Sequence, residues 1–365
     1  MAHLRLVAAP AVARPLEPSA QPIVVVRLTS DGRLADPGAM DHLAERAAGA
    51  TDCFLFAPGW LDDAGDTRRE AGRFFARLHT GLTPVRDRIR PLRVALHWPS
   101  KPSADSETAP NALQQFRDSH VPLAPEEERE LDAIRREASP TVALRALGLW
   151  TTKRRAGDVG DRFGREWLAP IWAALRPAPR LHVIGHSFGA RLVASMVLGG
   201  VRPASACLLL GAFSAFAFAR EVPGTARPGF YHRLLAQRLV QGRIVIVRSE
   251  HDTALSYALR DGIGRVTGRR HVAETVATSA LGAAGARGVG APEVDLSEVP
   301  RIGLPNYVIV NVDGSRLMRP TQPVIGAHLD IDYIEVSRTV LVAAGLLEPS
   351  PDGLRAPRRS PFAGA

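Results

Sequence analysis

Short runs of almost uninterrupted apolar residues punctuate the chain, at residues 23–26, 53–57, 92–96, 181–184, 206–210, 243–247 and 306–312. Each has the length and apolar character of a strand buried on both faces. The stretches between several of them change to a helical period. Asp36 or Pro37 opens a helix carrying Met40, Leu43 and Ala47 and closing near Gly49, and a later one carries Phe74, Phe75 and Leu78. Further helices are predicted over 163–175, with Trp167, Leu168, Ile171 and Trp172 on one face, around 231–240, and over 333–346. Buried strands alternating with amphipathic helices predict an α/β fold, a mostly parallel central sheet with helices on both faces.

The pattern also marks where this domain, residues 22–346, is interrupted. Residues 1–21 carry prolines and no period, and 347–365 are dense in Pro, Gly, Arg and Ser, so both read as flexible tails. Between the third and fourth strands, 101–160 shows no strand but helical patterns at 109–117, 125–137 and 140–149. This is an insertion, either a lid over the strand ends or a surface excursion. Residues 261–300, rich in Gly, Ala and Arg, read as a loop excursion, which makes 306–312 the last strand.

Composition excludes more than it assigns. With 45% hydrophobic and 23% charged residues, the chain is that of a folded globular protein. The net charge of +9 raises nucleic acid as a partner, but the basic residues are scattered arginines. The densest cluster, Lys153-Arg154-Arg155, has no interleaved aromatics and reads as a solvated loop, so no nucleic-acid partner is expected. Cys53 and Cys207 both lie in apolar strand runs and behave as small hydrophobes, which fits a reducing, cytoplasmic location. Pro10, Arg14 and Pro15 interrupt the N-terminal apolar run before a signal-peptide core forms, and the stretch 204–219 is too short for a membrane span.

The candidate chemistry sits where the 181–184 strand runs into Gly185-His186-Ser187-Phe188-Gly189 and then a helix. A serine hydroxyl becomes nucleophilic only when a base can reach its proton, and a sharp strand-to-helix turn presents it clear of the backbone. Gly185 and Gly189 leave room for that turn, and the helix N-terminus favours developing negative charge. Phe188, after the serine, and Trp60, after the strand ending Ala57-Pro58-Gly59, stand where an α/β hydrolase, which this elbow resembles, draws its two oxyanion-hole N–H groups. Asp252, delivered by the 243–247 strand in Arg248-Ser249-Glu250-His251-Asp252, is the orienting acid, with Glu250 its nearest rival. His328, in Gly326-Ala327-His328-Leu329-Asp330 after the last strand, is the general base; His97 and His251 compete for the role. The aromatic run 213–218, with Phe213 and Phe216, either lines an acyl pocket or packs as helix core.

The order Ser187, Asp252, His328, each at a predicted strand end, resembles the nucleophile, acid and histidine order of the α/β-hydrolase superfamily over roughly residues 22–346. More narrowly, Phe56-Ala57-Pro58-Gly59-Trp60, His97-Trp98-Pro99-Ser100 and the Gly-His-Ser-Phe-Gly elbow resemble serine-esterase-like hydrolases with HG, WPS and GHSxG motifs; Pro58 departs from the family's histidine. The resemblance implies hydrolysis of a small-molecule or lipid-like ester, or a thioester, through a serine acyl-enzyme, with no metal or organic cofactor. Acyl transfer or cofactor-free perhydrolysis on the same residues, and a catalytically inactive scaffold, remain as alternatives.

Overall fold

The computed structural model describes residues 22–59, 64–100, 125, 127–128, 140–253, 280–320, 326–350 and 353–355, with backbone alone for 140–150. Strands β1 (Val24–Arg27), β2 (Asp52–Ala57), β3 (Pro91–His97), β4 (Arg180–His186), β5 (Ser205–Leu209), β6 (Ile244–Arg248), β7 (Glu293–Asp295) and β8 (Ile309–Asp313) form one eight-stranded sheet. Its order is β1-β3-β2-β4-β5-β6-β8-β7, and every pairing is parallel. The helices are α1 (Ala39–Ala48), α2 (Ala64–Gly81), α3 (Pro140–Phe163), α4 (Ala169–Ala174), α5 (Phe188–Leu198), α6 (His232–Ala236), α7 (Leu281–Ala284), α8 (Val299–Ile302) and α9 (Ile334–Ala343). The chain is therefore α/β, with the sheet enclosed by helices on both faces.

Alternation along the strands divides the core in two. Cys53, Leu55 and Ala57 of β2, Leu181 and Val183 of β4, and Ile244 and Ile246 of β6 turn toward α1, α3 and α5. Phe54, Phe56, Ile184, Val245 and Val247 turn the other way, against α2 and α9. This is the period of two expected of a pleated strand, here with both faces apolar because both are covered. Both cysteines are buried and free, and burial pushes the Cys207 thiol up to about 12.

The order of the strands decides where a site can lie. From β2 the chain crosses to β3 on one side, whereas from β4 it crosses to β5 on the other. Since β2 and β4 are neighbours, their carboxyl ends flank the point where the winding reverses, the crevice in which open α/β sheets bind ligands.

Several sequence expectations change. Within the 101–160 insertion, the helix expected at 140–149 continues to Phe163 as α3, and Ala156, Val159 and Phe163 lie in the core against α5. The crossing is close because Gly160 offers no side chain: a Cβ there would lie 2.1 Å from the Leu192 carbonyl oxygen. Lys153 and Arg154 are not in a solvated loop but buried in α3, 3% and 5% exposed. Lys153 pairs with Glu127, which also pairs with the buried Arg191 of α5. A charge run that reads as surface is buried because its counter-ion comes from a distant segment. The 261–300 excursion contains α7, β7 and the start of α8, and β7 lies outside β8 as the edge strand. Past residue 346, β9 (Glu348–Ser350) and β10 (Gly353–Arg355) pair as an antiparallel hairpin. The tail at 1–21 and residues 101–124 and 261–279 lie outside the described residues. Among the described residues no helix is long and apolar enough to cross a membrane.

Candidate functional site

β4 ends at His186, and the next residue, Ser187, takes φ 57° and ψ −121° before α5 begins at Phe188. An L-residue avoids this region, so neighbouring structure must hold it. It is fixed from β5, because the Ser187 N–H donates to the Leu209 carbonyl at 3.0 Å and the Ala212 N–H donates to the Ser187 carbonyl at 3.1 Å. The turn also needs space. A Cβ on Gly189 would lie 2.0 Å from the Ala57 carbonyl oxygen, and one on Gly185 would lie 2.3 Å from that of Gly189. Both glycines are required by backbone packed against backbone.

Two other loops converge on this turn. After β6, Asp252 forms an isolated antiparallel bridge with Gly326, and the Ala327 N–H donates to the His251 carbonyl at 2.9 Å. That pairing joins the loop bearing Asp252 to the loop bearing His328. His328 Nε2 then lies 2.7 Å from Ser187 Oγ, while its Nδ1 lies 3.0 Å from each carboxylate oxygen of Asp252. Nδ1–H donating to the carboxylate leaves the Nε2 lone pair to accept the serine proton. Ser187 is 3% exposed, and the His328 and Asp252 side chains are 12% and 6% exposed. The three groups form one chain of hydrogen bonds at the floor of a cleft.

The rival residues lie elsewhere in the network. His97 Nδ1 is paired with Thr67 Oγ1 at 2.9 Å, and His251 faces the exposed Glu250 at 3.8 Å. Trp60 lies outside the described residues, but the loop leading to it is fixed, since Trp98 donates from Nε1 to the Pro58 carbonyl at 3.1 Å. The next residue, Gly59, passes so close to the elbow that a Cβ would lie 2.7 Å from Ser187 Cβ. Phe188 opens α5, where first-turn N–H groups point out of the helix end.

Phe213 is 1% exposed and packs in the core with Phe218 and Tyr231, at centroid separations of 6.3 and 5.3 Å. Phe216 is half-buried, with its ring edge near Gly288. Neither lines the cleft beside Ser187. That cleft, of about 220 Å³, takes its apolar wall from Phe74, Leu329 and Ile331, and its polar wall from Glu70, Arg73, His186 and Asp332.

Glu70 and His186 were given no role by sequence reasoning. His186 donates from Nε2 to the His328 carbonyl at 2.8 Å and faces Glu70 Oε1 through Nδ1 at 3.1 Å. Burial disfavours its charged form, but the bond and charge of Glu70, helped by the His328 carbonyl and Asp252, outweigh that and hold its pKa above the ordinary histidine range. The available signal was the spacing of Glu70 and Phe74 on one helical face, together with a histidine directly before the elbow serine.

No group of three or more His, Cys, Asp or Glu side chains among the described residues is arranged to hold a metal ion. Comparison with protein-family models, with curated proteins and with solved structures finds no match to this chain. The functional reading therefore stands on the geometry.

Proposed function

We propose that this chain is a serine hydrolase of the α/β-hydrolase class that cleaves carboxylic esters, including thioesters and lipid esters, through an acyl-enzyme. The observation that carries the proposal is the continuous relay from Ser187 Oγ to His328 to Asp252, built on a residue held at positive φ. His328 Nε2 takes the Ser187 proton as Oγ bonds to the ester carbonyl carbon, and the carbonyl oxygen becomes an oxyanion. Asp252 stabilises the imidazolium that results. Phe188 N–H and Trp60 N–H are the proposed donors to the oxyanion, and one such donor is worth about 3 kcal/mol in related sites. Collapse breaks the bond from the carbonyl carbon to the leaving oxygen, which takes the proton back from His328 Nε2. Water then adds to the acyl-enzyme, giving its proton to His328, and Ser187 leaves with that proton as the carboxylic acid departs.

A fluorophosphonate probe and short p-nitrophenyl esters test this reading. The wild-type chain is expected to label and turn over, and Ser187→Ala to do neither. Labelling that persists in Ser187→Ala, or its absence in folded wild type, would overturn the assignment.

A further inference from the structure

We infer that the cleft selects esters carrying a second group that is a carboxylate, bound by Arg73; this rests on the serine hydrolase reading above. On α2, Glu70, Arg73 and Arg77 fall three and then four residues apart, so their side chains form a single stripe. The outer two are engaged. Glu70 pairs with His186 at 3.1 Å, and Arg77 donates to Asp332 Oδ1 at 3.1 Å. Arg73, between them, lines the cleft beside Ser187 and has no ion pair or hydrogen bond among the described residues.

Of the cations at the cleft, Arg73 alone has no carboxylate partner among the described residues. The two carboxylates lining the cleft are already engaged: Glu70 faces His186, and Asp332 faces Arg77. The group left without a partner is the Arg73 guanidinium. Its planar donors match a carboxylate in a two-bond fork, whereas a phosphate, with nearly two negative charges, would leave charge uncompensated by one cation. Phe74, Leu329 and Ile331 supply an apolar wall for the carbon chain joining the two ends of such a substrate. The core position of Phe213 removes the aromatic run as the main determinant of the pocket and leaves this mixed surface in its place.

Matched ester pairs test the inference. One pair puts the charge on the acyl part, p-nitrophenyl hemiglutarate against p-nitrophenyl valerate. The other puts it on the alcohol part, p-carboxyphenyl butyrate against phenyl butyrate. The ratio of kcat/KM for the charged over the neutral member is measured in wild type, Arg73→Lys, Arg73→Gln and Arg73→Glu, so that leaving-group differences cancel. In at least one pair the ratio should fall about tenfold in Arg73→Gln, mostly through KM, further in Arg73→Glu and less in Arg73→Lys. The pair that responds tells which side of the scissile bond faces Arg73. Ratios that stay within about twofold in both pairs, while Ser187 still takes the fluorophosphonate probe, overturn the carboxylate assignment and leave the hydrolase reading standing. Absence of labelling in wild type removes both.

Discussion

His186 holds the backbone of His328: its Nε2–H reaches the His328 carbonyl at 2.8 Å, and the two rings lie 5.4 Å apart. The residue before the elbow serine thus positions the residue that faces the serine's hydroxyl. Glu70 completes the arrangement by favouring the doubly protonated ring. His186→Leu removes both hydrogen bonds, and on the proposed mechanism kcat should fall by about 10²-fold, the cost of a displacement of about 1 Å at a reacting group. Steady-state kinetics against a neutral ester check this; a wild-type kcat would mean that the bond does not set the base.

The same pair gives a pH dependence with a definite sign. A histidine whose pKa is raised on folding stabilises fully below its unfolded value of about 6.5, and that contribution is lost as pH rises through the folded value. The groups facing His186 are Glu70, Asp252 and His328. Glu70→Gln removes the main charge that raises it, so the Tm advantage of wild type over Glu70→Gln should be largest on the acid side and shrink toward alkaline pH. A difference that does not change with pH would show that Glu70 and His186 are not coupled through charge.

On the proposed mechanism, removing either His328 or Asp252 should disable the same step. Asp252→Asn offers the wrong hydrogen-bonding partner to His328 Nδ1, and the analogous change in serine proteases costs about 10⁴ in kcat. His328→Ala should do similar damage, and the double variant should resemble the worse single one because the two act as a unit. His97→Ala serves as the control. If it is the dead enzyme and His328→Ala is active, the proposed base is wrong.

The strain at Ser187 can be separated from its chemistry. Ser187→Ala and Ser187→Gly both lack the hydroxyl, but only glycine adopts φ 57° without penalty. The strain of about 1–3 kcal/mol relieved by glycine is partly offset by its greater unfolded-state freedom. Ser187→Gly should therefore be the more stable of the two by about 1 kcal/mol in denaturant titrations. Equal midpoints would mean that the turn is not strained.

Trp98 reaches the elbow indirectly, through the loop after β2. Trp98→Phe keeps most of the buried ring but removes the N–H that holds the Pro58 carbonyl. On the proposed mechanism kcat should drop by about tenfold with KM little changed, because a displaced backbone donor weakens binding of the oxyanion more than of the ester. A rise in KM alone would assign the loop to substrate binding.

The α/β class and the place of the strand-to-helix turn were legible in the hydrophobic pattern alone. Apolar runs such as 53–57 and 243–247 have the length of strands with both faces covered, and two glycines around a serine after such a run suit a sharp strand-to-helix turn. Asp252 and His328 were singled out from their order along the chain, after two of the predicted strands. That their loops are bridged at Asp252 and Gly326 was not legible, since backbone pairing across loops leaves no side-chain pattern. What lies between or beneath elements depends on packing between distant segments. β7 is three residues long and exists as a strand because β8 pairs with it. Phe213 lies in the core and Arg73 at the cleft because of what packs beside them, as their own neighbours in sequence suit either place. Lys153 is buried because Glu127 meets it. Hydrophobic period is a property of one segment, whereas the pairing of charges belongs to all the segments that meet, and so the set of groups at the cleft could be read only from the fold.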